Sequence, residues 1–219
     1  MTMTPHEREL LGSLSHELRT PLNGIIGFAA LMHDAKVGPV SPEHKEYLGD
    51  ILISARHLLL LINNLLDLAQ LESGKVEFHP ETIDPGVLAT DVRDSLHALA
   101  VQRRITVRVE VDRAVGTVVA DAEKLTQVLA NYVSSALRCT PEEGRVVIRL
   151  DPEGDDQFRV EVAAEGAPLP NDGATTLALA FARQVVEAQG GRAGVRSAPT
   201  EGRVFFAVLP RTPDRYMPR

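Results

Sequence analysis

The sequence predicts an α+β chain of two domains: an N-terminal helical hairpin that dimerises into a four-helix bundle, then an α/β sandwich with a mixed sheet. Three observations carry that expectation. Apolar residues in the first part recur at steps of three and four, the texture changes to period-two alternation near residue 75, and beyond that point strand-like runs are interspersed with helix-like ones. The chain of 219 residues, 44% hydrophobic and 24% charged, is long enough for two separate cores. With aromatics at 4% and no Trp, those cores must be aliphatic, which favours helices packed on helices.

From Pro5 to Met32, the residues Leu11, Leu14, Leu18, Ile25, Phe28 and Met32 recur at alternating steps, with Pro21 in the one missing slot, so this segment reads as a helix with a bundle seam. Breakers from Asp34 to Val40 make a loop, and Ser41-Pro42-Glu43 reads as an N-cap with proline in the first helical position. The second helix has a seam at Leu48, Ile51, Ala55, Leu58, Ile62, Leu65 and Ala69, with a parallel row at Leu52, Leu59 and Leu66. That stripe is wider than one partner helix can cover. Two hairpins would cover each other, which predicts a homodimer.

Ser73-Gly74 ends the second helix, and the expected domain limits are 1–73 and 74–210, with 211–219 a polar, proline-containing tail that frays. Within the second domain the expected order is a short strand at Val76 and Phe78, a helix from Pro85 to Arg103, strands near 105–111 and 117–119, and a helix from Asp121 to Arg138. A hairpin of strands at 145–150 and 158–163, a helix from Thr175 to Gln189 and strands at 193–197 and 203–209 complete it.

Composition narrows the function classes. The net charge is −7 and Lys and Arg are scattered, so no basic stripe offers itself to a nucleic acid. The single cysteine, Cys139, can form no internal disulfide and fits a reducing cytoplasm. The opening MTMTPHEREL is too polar for a signal peptide, and the longest apolar run, Leu58 to Ile62, is short of the roughly 20 residues of a membrane span. The expectation is a cytoplasmic protein with no membrane segment.

His16 lies two residues from each of the seam positions Leu14 and Leu18, which puts it on the outer face of the bundle and exposed. Glu17 is adjacent, Thr20 is one turn further on that face, and Pro21 removes the hydrogen bond to the carbonyl of residue 17 and should bend the helix. A surface histidine alone signifies little, and His6, His33, His44, His57, His79 and His97 share the chain. The surrounding string changes the reading. Ser15-His16-Glu17-Leu18-Arg19-Thr20-Pro21-Leu22-Asn23 resembles the H box of bacterial sensor histidine kinases across all nine positions. The resemblance implies that His16 carries a phosphoryl group, that Glu17 orients or deprotonates the ring, and that Thr20 positions water when a partner's aspartyl phosphate is hydrolysed. A neutral imidazole near pH 7 is a competent nucleophile, and exposure would let a partner's aspartate approach in line. The implied partners are response-regulator receiver domains, docking around Arg19, Asn23 and Ile26 and on the lower part of the second helix.

The second domain resembles the ATP-binding domain of the same kinases, the type shared with gyrases and Hsp90 chaperones. Asp121 to Asn131 fits the helix of the N box, and Gln184 to Gly191 and Gly202 to Pro210 also fit. The nucleotide contacts depart from the family pattern. Asn131 is kept, but Ser135 stands where the family has a second, magnesium-coordinating asparagine. The first glycine box reads Ala164-Glu165-Gly166-Ala167-Pro168-Leu169, so Ala164 replaces the adenine-reading aspartate and Pro168 the second glycine. The second glycine box reads Ala174-Thr175-Thr176-Leu177-Ala178-Leu179, without glycine, and few residues remain where the family has a lid. These departures imply a degenerate site, with ATP and magnesium binding weak or absent and no cofactor.

The reading that follows is a histidine phosphotransferase, relaying a phosphoryl group between receiver aspartates through His16 without ATP and able to act as a receiver phosphatase. Two others stay open. One is a non-catalytic pseudokinase scaffold that binds response regulators or kinases; the other is an active soluble histidine kinase with a divergent ATP site.

Overall fold

A computed structural model describes the backbone of residues 5–72, 78–166, 173–198 and 202–212, and their side chains except those of 5–16, 72, 173 and 174. The chain divides into two compact units, Met1–Val76 and Glu77–Arg219.

The first unit is a hairpin of α1 (Pro5–His33) and α2 (Pro42–Glu72). Helix α1 runs unbroken through Pro21. It ends in a Schellman arrangement: Lys36 N–H donates to Leu31 O and Ala35 N–H to Met32 O, both at 3.0 Å, with Ala35 at φ 55°. The expected cap of α2 is present, the Ser41 hydroxyl accepting from the His44 backbone N–H at 3.2 Å. Ala29, Leu48 and Leu52 form the buried centre of the hairpin, and Ile26, Ala30 and Val40 pack against it.

The predicted seam divides here. On α1 the row facing α2 is Leu22 and Ala29, not Leu18, Ile25, Phe28 and Met32, which are exposed, Phe28 to 72%. On α2 Leu48, Leu52, Ala55 and Ala69 are buried while Ile51, Leu58 and Leu65 face outward. Alanines at 29, 55 and 69 let the helices approach closely, Leu22, Leu48 and Leu52 fill the contact beside them, and the flanking apolar rows stay outside it. Although its uninterrupted apolar run is short, α2 over Pro42–Leu71 is long and apolar enough to cross a membrane by length and composition alone, a test that a bundle's core helix also passes.

The second unit contains β1 (Pro80–Ile83), α3 (Pro85–Ser95), α4 (His97–Gln102), β2 (Thr106–Val111), a 3-10 turn (Arg113–Val115), β3 (Val118–Asp121) and α5 (Ala122–Cys139). Then come β4 (Arg145–Glu153), β5 (Gln157–Ala164), α6 (Gly173–Ala188), β6 (Arg192–Ala198) and β7 (Gly202–Pro210). β1 and β3 form a two-stranded sheet, and the remaining five strands lie in the order β2-β4-β5-β7-β6. Only β2 and β4 pair in parallel; the others are antiparallel, which makes the sheet mixed as expected.

Helix α5 is the centre of this unit. Leu125, Val128, Leu129, Tyr132, Val133 and Leu137 are buried along it, opposite a sheet face of Ile148, Leu150, Phe158, Val160, Val162 and Phe205. The Tyr132 ring lies 5.6 Å from that of Phe205, and its hydroxyl donates to Phe206 O at 3.0 Å. Burial pushes that phenol's pKa upward, so it stays a donor. The opposite sheet face is charged: Arg159 sits between Glu153 and Glu161, with Arg192 on Glu153 at 2.7 Å and Arg196 on Glu161 at 3.1 Å.

Several elements depart from expectation. Phe78 precedes the first strand, which starts at Pro80, and Val76 lies outside the described residues. The single helix expected over Pro85 to Arg103 is two, broken at Leu96, where the Leu96 N–H is shared between Val92 O and Arg93 O at 3.2 Å each. The neighbouring Ser95 hydroxyl donates to Val92 O at 2.7 Å, a local bond that competes with helix continuation. The frayed tail does not begin at 211. Arg211 N–H donates to Asp156 O at 2.8 Å, its carbonyl accepts from Val119 N–H at 2.7 Å, and its guanidinium reaches the carbonyls of Ala114 and Val115. Residues 213–219 lie outside the described ones.

Asp121 ties the small sheet to α5. It is buried, caps the helix by accepting from Lys124 N–H at 3.0 Å, and accepts from His79 N–H at 2.9 Å through its other oxygen. Asp121→Ala leaves two amides without their partner and should destabilise the protein by about 1–3 kcal/mol in urea unfolding, whereas Glu123→Ala, exposed on the same turn, should change stability by less than about 0.5 kcal/mol.

Candidate functional site

The H-box segment lies wholly within α1. Helical geometry puts residues 16, 19, 20 and 23 on one side, and Glu17, Arg19, Thr20 and Asn23 are all exposed. The backbone of His16 is helical, and its expected exposure concerns a side chain outside the described residues. Thr20 is engaged by a neighbour. Arg19 is held across the hairpin, its Nη2 donating to Asn63 Oδ1 at 2.8 Å.

The structure adds two observations on this face. Ile26, expected on the docking surface, is half-buried and packs on the Ala29–Leu48–Leu52 centre, because it follows the inward row of α1. Asn63 and Asn64 were not singled out from the sequence. Asn64 is fully buried and engaged, and Asn63 meets the H box. The available signal was two adjacent amides inside the run Leu58–Leu68, where a core helix carries polar groups only if they have partners.

The second set of candidates gathers around the C-terminal half of α5. Asn131 is fully buried and engaged, and Ser135 is buried one turn on. At the end of β5, Ala164 is buried and offers no polar side chain. The neighbouring Glu165 is exposed, 3.8 Å from Arg145 Nε. Gly166 has φ 131°, and a Cβ there would lie 2.7 Å from Pro141 Cδ and 2.8 Å from Cys139 O, so this glycine serves a close backbone approach to the end of α5. Arg138, in the last turn of α5, donates to Thr175 Oγ1 at 3.0 Å in the first turn of α6. Pro168 lies outside the described residues, and so do 167–172 around it.

Comparison with known proteins bears directly on this arrangement. A model of the His Kinase A (phospho-acceptor) domain matches residues 6–74, and one of the histidine kinase-, DNA gyrase B- and HSP90-like ATPase matches residues 120–213. The two-domain core is that of histidine kinases. The circadian input-output histidine kinase CikA of Synechocystis sp. is 32% identical over 93% of this chain and 30% of its own length. The cell-division control histidine kinase PdhS of Brucella suis is 30% identical over 93% of this chain and 22% of its own. The chain therefore spans less than a third of either relative. Among solved structures, full-length ShkA in complex with AMPPNP aligns with a TM-score of 0.67 at 30% identity, over 94% of this chain and 46% of that one. The histidine kinase ThkA in complex with the response regulator TrrA aligns at 0.61 and 25% identity, over 94% and 62%.

The histidine kinase core thus accounts for both units. Its phospho-acceptor hairpin makes a sharp distinction between two neighbouring residues of the predicted docking surface. Ile26→Ala should lower hairpin stability by about 1–2 kcal/mol, read as a reduced melting midpoint; Asn23→Ala should leave the midpoint unchanged, because Asn23 is exposed.

Proposed function

We propose that the chain is a histidine phosphotransferase that moves a phosphoryl group between receiver aspartates through His16, without ATP. The observation that carries this reading is the intact H box within α1, with Glu17, Arg19, Thr20 and Asn23 exposed, inside the segment matched by the phospho-acceptor model. In the forward step the lone pair of an imidazole nitrogen forms an N–P bond as the acyl phosphate O–P bond of the receiver breaks. The aspartate leaves as a carboxylate, and Glu17 or water takes the ring's surplus proton. The second receiver's carboxylate reverses these changes. Thr20, on the same face, is suited to orient a water when the outcome is hydrolysis. Arg19 and Asn23 supply polar contacts for the receiver, whereas Ile26 belongs to the hairpin interior.

The residues around α5 do not suit an adenine and a magnesium triphosphate. Ser135 stands where the kinases have a magnesium ligand, Ala164 has no acceptor for the adenine amino group, and Arg138 is bonded to Thr175. A hydrogen bond to a charged group is worth about 1.5–3 kcal/mol, so the loss at Ala164 alone weakens binding by about ten-fold to a hundred-fold. The relatives favour a second reading, an ATP-dependent kinase, since CikA and PdhS are named histidine kinases and the ShkA structure contains AMPPNP. A calorimetric titration with Mg-ATP separates the two. The phosphotransferase shows no saturable binding below millimolar nucleotide; micromolar affinity selects the kinase.

In this reading the protein is a homodimer that works in the cytoplasm without membrane insertion or nucleic acid. The outward rows Leu18, Ile25 and Met32 on α1 and Ile51, Leu58 and Leu65 on α2 each repeat every seven residues, the spacing of a bundle interface. Incubation with phosphorylated receiver domains should place acid-labile phosphate on the chain, and His16→Ala should abolish it. Binding of receivers with no label on the chain would identify a pseudokinase scaffold instead.

A further inference from the structure

We propose that Asn63 is a positioning residue for phosphoryl transfer at His16, acting through Arg19; this rests on His16 being the phosphoryl carrier. Arg19 follows His16 by three residues on the helical backbone of α1, so the two positions are neighbours on one side of the helix, about 4.5 Å apart along its axis. An arginine that exposed would ordinarily sample many rotamers. Here its Nη2 is fixed at 2.8 Å from Asn63 Oδ1, on the facing helix of the same hairpin. One donor of the guanidinium is spent on that bond, and the others remain for the oxygens of a phosphoryl group in transit.

The identity of the partner matters. A carboxylate at 63 would hold Arg19 as well or better, but it would cancel the positive charge that a phosphoryl dianion needs. The neutral amide orients the guanidinium and leaves its charge intact. Pre-oriented charge needs no rearrangement as negative charge shifts in the transition state. Asn63 touches neither reactant, and its whole effect runs through Arg19.

The test uses the full chain and phosphoramidate, a small donor independent of both receivers and ATP. The imidazole nitrogen of His16 forms an N–P bond as the P–N bond of phosphoramidate breaks; ammonia leaves and the ring releases a proton to water. Labelling is followed by mass spectrometry with His16→Ala as the blank. Asn63→Ala should lower the maximal labelling rate by about ten-fold while the KM for phosphoramidate changes by less than about two-fold. In an Arg19→Ala background the same substitution should have no further effect. Asn63→Asp should keep the wild-type melting midpoint and still lose several-fold in rate, an outcome that a purely structural role does not give. A wild-type rate in Asn63→Asp or Asn63→Ala overturns the proposal, as do losses that multiply in the double variant. If the wild-type chain takes label from phosphoramidate but exchanges it with no receiver, the phosphotransferase reading fails while the comparison of variants still decides the role of Asn63. If wild-type His16 takes no label, both fail.

Discussion

Two helices joined as a hairpin can bury only one row of side chains from each, and the first unit has more apolar rows than that. The bond between sequence and function runs through this constraint. Ala29, Ala55 and Ala69 sit inward beside Leu22, Leu48 and Leu52, their small side chains allowing the close approach at which the leucines pack. The other apolar rows are left outside, and so are Glu17, Arg19, Thr20 and Asn23 of the H box. The same packing brings Asn63 of α2 under Arg19 of α1. Exposed H-box side chains at Glu17, Arg19, Thr20 and Asn23 and an exposed apolar face are therefore two results of one choice of inward row.

In the second unit, one helix serves both core and candidate site. The first turns of α5 are held by Asp121, and its middle packs on the sheet through Leu129, Tyr132 and Val133. Its last turns bear Ser135 and Arg138. Asn131 and Ser135 are buried on the same helix, and Arg138 in its last turn bonds to Thr175 of α6, so core packing and candidate site share one rigid element.

Much of this was legible in the sequence. The helical hairpin, the Ser41 cap, the helix α5, the β4–β5 hairpin and the strands β6 and β7 follow from periodicity and turn chemistry, which are local. The break at Leu96 was not legible, because apolar spacing continues across it and only a backbone bond shared between two carbonyls marks it. Nor was the anchoring of Arg211, whose guanidinium partners are more than ninety residues away in sequence. That Ile26 packs against the hairpin centre was not legible for a related reason: both rows of α1 are apolar, and spacing does not say which one turns inward.

The sequence by itself determined the helical and strand elements, the two-domain order and the H box at His16, since these depend on residue type and short-range spacing. Tertiary structure alone decided which apolar row is buried, that Arg19 is gripped by Asn63, and that the polar groups near Ser135 turn to protein partners. Such facts are pairings between residues distant in the chain, and side-chain size and hydrogen-bond satisfaction select them only once the elements have packed.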